Sequence, residues 1–308
     1  MFDYIIRRLL LMVPVLIGVL LVTFLLMFVI PGDPITTLMG QRANDKVINR
    51  IRDELGLDDP WYIQFARYCS RIVRGDLGQS YITHRSVARD LMQKLPNTAK
   101  LAVSAMVVAT LMGILVGILA AVYHNTWVDR AVMVFALIFI STPVFWFGLI
   151  LVFVFGMTLG WLPISGMGDG SIKYLILPAI TLGTRSAAFL ARMTRSTMLE
   201  VVRQDYIRTA RSKGVKEKII IFKHALKNAL IPIVTIIGMS FASYLNGSVL
   251  TETIFGWPGF GRYVVQAIYK RDFQVIAGSV LVGAVIFVFA NLIVDLTYGF
   301  LDPRIRYD

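Results

Sequence analysis

Three histidines and one cysteine are among the side chains of this sequence that could ligate a metal, carry a proton or attack a substrate. Cys69, His84, His124 and His224 stand far apart, and no CxxC or HExxH spacing joins them. One cysteine allows no internal disulfide, so Cys69 reads as a lone thiol. The dipeptide Gly-Lys never occurs, which removes the GxxxxGK[ST] phosphate loop, and no GxSxG elbow presents a serine. What remains is charge in unusual places. Arg185 and Asp295 fall within apolar runs, where a charge is costly unless it meets a cavity or a partner. Ten Lys and Arg lie between Arg192 and Lys227, against Glu200, Asp205 and Glu217. In that stretch Val201, Val202, Tyr206, Ile207 and Ala210 keep helical spacing, and a second helical pattern covers Ile219–Leu230. Gly214 stands between them. Glycine tolerates positive φ, so it suits a helix C-terminus, and the segment is predicted to be helix, glycine corner, helix.

The elements that hold these residues follow from composition. Of 308 residues 56% are hydrophobic and 16% charged, and the mean hydropathy is +0.69. Soluble domains carry about 25% charged residues, so these apolar runs must face lipid or one another within lipid. The runs are continuous rather than alternating, which excludes barrel strands and leaves helices. Leu9–Ile30 lacks any charge over a length of about 33 Å, enough for a hydrocarbon core of about 30 Å. It follows Arg7-Arg8 but is too long for a signal peptide core, so it reads as a retained span. Five more spans are predicted: Leu101–Tyr123; a run from Ala131 that exits near Gly156, Gly160 and Pro163; Ile172–Leu190; Leu230–Leu250; and Val275–Phe300.

The net charge of +12 sits in loops between these runs, which fits the positive-inside pattern and not a nucleic-acid surface. With both termini cytoplasmic, the inner segments are 1–8, 124–130, 191–229 and 301–308, and 191–229 is the most basic. The long segment Pro31–Lys100 carries eight acids and weighs little in this rule. Within it Val47, Ile48, Ile51 and Leu55 have helical spacing, and Asp59-Pro60 reads as an N-cap followed by a first-turn proline. Ile63, Ala66 and Ile72 are the predicted apolar face of the helix that follows. The expected organisation is 1–30 for the N-terminus and first span, 31–100 for an extracytoplasmic segment with short helices, and 101–308 for a five-helix core containing the 191–229 loop.

The 191–229 segment resembles the EAA loop of binding-protein-dependent ABC importer permeases. That loop reads Glu-Ala-Ala, three residues, Gly, nine residues, Ile, one residue, Leu-Pro. Here Arg208-Thr209-Ala210 takes the first place and Gly214 stands at the matching distance; His224 replaces the isoleucine and Leu226-Lys227 the Leu-Pro pair. The form DYIRTARSKG with HALKNALIP is similar to permeases of the dipeptide, oligopeptide, glutathione and nickel class, in its B-type subunit. Other stretches resemble the same class in order along the chain: Pro31-Gly32-Asp33-Pro34, Gly75-Asp76-Leu77-Gly78, Ala191-Arg192-Met193-Thr194-Arg195-Ser196, Thr251-Glu252-Thr253-Ile254-Phe255 with Trp257-Pro258-Gly259, Arg271-Asp272, and Asp302-Pro303-Arg304-Ile305-Arg306.

The resemblance implies an all-α, polytopic membrane bundle of six transmembrane helices, like a type I ABC importer permease, in a prokaryotic plasma membrane. It implies a second permease subunit, two cytosolic ATPases that hold the ATP and magnesium, and an extracytoplasmic solute-binding protein; this chain itself would hold no cofactor or metal and catalyse nothing. It places ATPase docking on Asp205, Tyr206, Arg208, Thr209, Ala210, Lys213 and Gly214, with Tyr206 and Ala210 supplying apolar contact. Arg185, Pro143 and Gly238 are the pathway candidates. Arg185 either meets a substrate carboxylate, or snorkels or pairs between helices with an acid such as Asp295. Pro143, Pro232 and Gly238 either bend spans around the pathway or pack the core. The alternative function, an ion-gradient-driven secondary transporter, would want mid-membrane acids and internal repeats, and neither is evident.

Overall fold

The computed structural model describes residues 2–29, 59–168, 170–245 and 249–301. Twelve helices are numbered here in chain order: α1 (Phe2–Val29), α2 (Trp61–Val73), α3 (Val87–Val122), α4 (Trp127–Ser141), α5 (Val144–Leu151), α6 (Lys173–Val202), α7 (Asp205–Ser212), α8 (Glu217–Ile219), α9 (Leu226–Leu245), α10 (Val249–Ile254), α11 (Phe260–Tyr269) and α12 (Phe273–Leu301). Two π-helical segments extend this pattern, Val152–Thr158 after α5 and Ile220–Ala225 between α8 and α9. Among the described residues the one extended pairing is an isolated bridge between Gln79 and Ser86. The all-α expectation holds.

Among the described residues, α3, α6 and Phe273–Ile293 of α12 are each long and apolar enough to cross a bilayer. Two bent pairs raise the number to five: Trp127–Ser141 with Val144–Thr158, bent by 105°, and Glu217–Leu230 with Pro232–Leu245, bent by 54°. In α1 the apolar stretch is Leu10–Leu25. Each of the six predicted spans therefore has a helical counterpart, while length and hydropathy alone support five. The predicted stretches Pro31–Pro34, Asn44–Leu57 and Asp302–Arg306 lie outside the described residues.

The third predicted span is not one run with a break near its exit. It breaks at Thr142-Pro143. Proline lacks an N–H and pushes the residue before it out of the helical region, and Thr142 is extended, with φ −77° and ψ 129°. The helix resumes with Phe147 N–H on the Pro143 carbonyl at 3.1 Å. Gly160, at φ +64°, then marks the exit where glycine was expected. The fifth span is described as helix up to Leu245 and α10 from Val249; residues 246–248, inside the predicted stretch, lie outside the described residues.

Contacts divide the chain into two compact units, one of 97–262 with the chain from Phe289 onward, the other of Phe2–Pro96 with Tyr263–Val288. In the first, α6 is the central helix, with fourteen of its residues buried. It approaches α3 closely enough to exclude side chains. A methyl group at Gly117 would lie 2.6 Å from the Ala191 carbonyl oxygen, one at Gly113 would lie 2.6 Å from Leu190 Cβ, and one at Gly183 would lie 2.6 Å from the Ala105 carbonyl oxygen. Spacing small residues four apart, as Gly113 and Gly117 are, lets backbones meet where lipid supplies no hydrophobic drive. Ala109, Ala187, Leu190 and Ile233 fill the adjoining core and bring in α9.

The same unit buries Glu252 completely. Its carboxylate accepts Thr98 Oγ1–H at 2.7 Å and Arg262 N–H at 2.9 Å, and Gly259 leaves room for it, since a Cβ there would stand 2.4 Å from both Cδ and Oε1. Burial pushes the carboxyl above its usual range, and the N–H and hydroxyl donors pull it back only in part. A raised carboxyl pKa means that Glu252 favours the fold most when protonated, and that this contribution falls as pH rises through its folded pKa.

In the second unit α2 packs on α1 through Phe65 and Phe24, ring centroids 5.4 Å apart, and through Tyr68 and Thr23, whose oxygens are 3.3 Å apart. The inward face of α2 is thus Phe65, Tyr68, Cys69 and Ile72; Ile63 and Ala66, predicted for it, are exposed. Pro60 occupies the N-cap itself, and Asp59 makes no cap: its carboxylate pairs with Arg67 at 2.7 Å. Asp272 accepts Ser80 Oγ–H at 2.5 Å, and Leu77 receives Gln274 Nε2–H on its carbonyl at 2.7 Å.

The α3–α6 approach yields a direct test. Gly117→Leu forces the two helices apart or the leucine off rotamer, at a cost of about 1–3 kcal/mol. The thermal midpoint of the detergent-solubilised protein should drop by several degrees. An unchanged midpoint in Gly117→Leu would show that the close approach is not needed.

Candidate functional site

The basic segment folds as predicted around Gly214 and differs from prediction before it. α6 ends at Val202, Arg203 and Gln204 turn the chain, and α7 starts at Asp205 from an extended Gln204. α7 is therefore a separate helix of eight residues with a corner at each end. Gly214 has φ +75°. Its N–H bonds the Arg211 carbonyl at 2.9 Å, and Val215 N–H bonds the Ala210 carbonyl at 3.2 Å. These two bonds form a Schellman motif, which satisfies the last carbonyls of the helix and reverses the chain. Arg211 reaches across the corner to Glu217 at 2.7 Å, a half-exposed pair.

One fully buried side chain anchors α7 to the bundle. Ile207 is fully buried against Met198 of α6, Ile220 and Ala225 of the π segment, and Ala229 of α9. Ala210 and Val215 pack at the edge of the same cluster. Ala210 was expected to supply outward apolar contact; it is half-buried against the bundle, because it lies one turn from Ile207 on the same face. Asp205, Tyr206, Arg208, Thr209, Lys213 and Gly214 are exposed. Tyr206 presents an exposed ring while its hydroxyl accepts Asn228 Nδ2–H at 2.6 Å, which holds the ring against α9. Arg208 and Asp205 stand 3.6 Å apart in solvent, an arrangement worth little to stability.

A charge cluster that sequence reasoning missed lies beside this loop. Asp129, in the first turn of α4, is buried and accepts Arg195 Nε–H at 2.5 Å, Arg195 Nη2–H at 2.7 Å and Asn125 N–H at 3.0 Å. His124 Nδ1 lies 3.2 Å from both Asp129 Oδ2 and Arg195 Nη2. The fork-to-fork pair is the strong form of such contacts. It joins residues 66 apart, so no local pattern announces it. The one available signal was an acid among the basic residues of the short 124–130 segment.

Two pathway candidates come together. Arg185 lines a small, half-open recess with Phe139, Thr142, Phe147, Thr181 and Thr184, beside the break at Pro143. Gly238 is half-buried on α9 and does not line that recess. The Asp295 side chain lies outside the described residues. Among the described residues no three His, Cys, Asp or Glu side chains gather to hold a metal.

Long small-faced helices, two bent spans and a short helix closed by glycine make an all-α membrane bundle. Residues 113–307 match the family model of the binding-protein-dependent transport system inner membrane component, and residues 1–102 match the model of its N-terminal part. The chain is 44% identical over 333 residues to the dipeptide transport system permease protein DppB of Alkalihalophilus pseudofirmus, covering 100% of both. It is 41% identical to the di/tripeptide transport system permease protein DppB of Pseudomonas aeruginosa, over 100% of this chain and 99% of that one. It is 43% identical to the glutathione transport system permease protein GsiC of Escherichia coli O6:H1, over 100% of both. Among solved structures, an inward-facing MetNI methionine ABC transporter chain superposes with a TM-score of 0.58 at 20% identity, over 69% of this chain and 96% of that one, a likeness of fold. The chain belongs to the family of binding-protein-dependent transport system inner membrane components.

The Asp129–Arg195 pair can be tested by removal. Asp129→Ala strands a partly buried guanidinium and should cost about 1–3 kcal/mol, between the values for exposed and for buried pairs. Asp129→Leu combined with Arg195→Met should recover most of the lost thermal stability. Equal midpoints for the wild type and Asp129→Ala would show the pair to be without structural weight.

Proposed function

We propose that this chain is one of two permease subunits of an ATP-driven importer of short peptides. Cytosolic ATPases carry the ATP and magnesium, and an extracytoplasmic solute-binding protein delivers the cargo. The observation that carries the reading is α7: a discrete basic helix, cornered at both ends, anchored inward by Ile207 and exposing Asp205, Tyr206, Arg208, Thr209 and Lys213. The named cargoes of three relatives, dipeptides, di- and tripeptides and glutathione, favour peptides.

In this reading α7 seats in a cleft of one ATPase, with both chain termini on the same cytoplasmic side. Closure of the ATPase pair on ATP displaces α7 together with the two spans that flank it, and the bundle passes from inward- to outward-facing. Hydrolysis resets it. Such a switch needs an element with two packed arrangements. The bends at Pro143 and Pro232 are places where the spans can change direction.

The test uses the complex that copurifies with the full chain, in lipid vesicles. Gly214→Val places a β-branched residue at φ +75°, which costs on the order of 1–3 kcal/mol and distorts the α7 corner. Membrane insertion should persist while ATP hydrolysis continues without peptide uptake. Full coupled uptake by this variant would remove α7 from the mechanism, and failure of any ATPase to copurify with the wild type would remove the importer reading.

A further inference from the structure

Between Lys173 and Arg192, α6 carries one charged residue, Arg185. At about 1.5 Å per residue it lies about 18 Å from Lys173 and about 10 Å from Arg192, well inside a hydrocarbon core of about 30 Å. Helical side chains lean toward the N-terminus, so Arg185 leans away from Arg192, the nearer charged residue, and toward the middle of the uncharged stretch. Snorkelling to the closer interface is therefore disfavoured. The side chain is exposed, and it forms no hydrogen bond or ion pair with any described residue. The buried acids Asp90, Asp129, Glu252 and Asp272 each have named donors elsewhere. A guanidinium so placed cannot rest against lipid without large cost; it needs a cavity or a polar partner, and the recess that it lines is the cavity on this face of α6.

The recess around it has a defined chemistry. Thr142 Oγ1–H donates to the Ile138 carbonyl at 2.7 Å, Thr181 to Leu177 at 2.8 Å and Thr184 to Ile180 at 2.6 Å. Their hydrogens are used, so these hydroxyls offer lone pairs only. Arg185 is the donor of the recess, with Phe139 and Phe147 as apolar walls. A carboxylate pairs with the guanidinium in two parallel hydrogen bonds, while neighbouring amide N–H groups find the threonine oxygens. We propose that Arg185 is a specificity-determining residue of the translocation pathway, receiving the carboxylate of a short peptide at the Pro143 break. This rests on the importer reading above and names the cargo group that the pathway itself selects.

Two measurements on the copurified complex test it. In vesicles, ATP-driven uptake of dialanine is compared with that of its C-terminal amide. The wild type should prefer the free acid, and Arg185→Ala should reduce that preference by about 10- to 100-fold, the range for hydrogen bonds to a charged group, with ATP hydrolysis retained. Arg185→Lys should keep part of it. An unchanged preference in Arg185→Ala overturns the proposal, as does rescue of Arg185→Ala by Asp295→Asn, which would make the arginine an ion-pair partner. Absence of uptake by the wild type, with either probe, instead overturns the importer reading and this proposal with it. Independently of cargo, Arg185→Cys in a Cys69→Ser background should react with a water-soluble, membrane-impermeant thiosulfonate. Labelling by a lipid-soluble maleimide alone would place residue 185 against lipid and sink the idea.

Discussion

The close backbone approach between α3 and α6 is the constraint on which the first unit depends. Gly113, Gly117 and Gly183 occur where a single methyl group would strike the opposite helix. Dispersion falls steeply with distance, so the contact exists only while these positions stay small. From it α6 gains a fixed axis, and α6 in turn presents Arg195 to α4, Arg185 to the Pro143 break, and Met198 to the cluster beneath α7. Three features far apart in sequence thus take their positions from one packed pair.

Polar groups follow a complementary rule. Each buried carboxylate among the described residues sits where the fold supplies donors: Asp129 from an arginine fork and a turn N–H, Glu252 from Thr98 and the 259–262 turn, Asp272 from Ser80, and Asp90 from Tyr263. Glycine at 259 is required by the carboxylate it adjoins, since any side chain would occupy that oxygen's place. The Thr251–Phe255 and Trp257–Gly259 stretches are therefore two sides of one socket: the Glu252 carbonyl accepts Trp257 N–H at 2.8 Å, and the Trp257 indole donates to the Asn97 carbonyl at 2.9 Å.

Much of the architecture was legible in the sequence because its causes are local. Long uncharged runs make helices in lipid whatever surrounds them, and Gly214 could be placed at a corner because positive φ is a property of the residue itself. The turn at Arg203-Gln204 was not legible. Neither residue breaks a helix, and apolar spacing continues through Val201, Val202, Tyr206 and Ile207; the chain turns there because Ile207 finds Ile220 and Ala229, which come from later in the sequence. The same long-range origin hid the Asp129–Arg195 pair and turned Ala210 inward. Pro143 signalled a bend, but the angle of 105° is set by what α5 packs upon, including Thr181 beneath Gly148. On α2 the spacing was right and the face wrong, because Phe24 and Thr23 of α1 select Phe65 and Tyr68.

The buried anchor of α7 has a mechanical meaning in the proposed importer. Ile207 lies in the first turn of a rigid rod about 12 Å long, with one corner close behind it and the Gly214 corner at the far end. Ile207 acts as a fulcrum with a short arm toward α6 and a long arm toward α8. In the proposed importer, a push on the exposed far end would become a small rotation at the α6 side, trading displacement for torque at the helix with fourteen buried residues. The half-exposed Arg211–Glu217 pair links the far end of that arm to α8 across the corner, so both flanking segments would feel the same displacement.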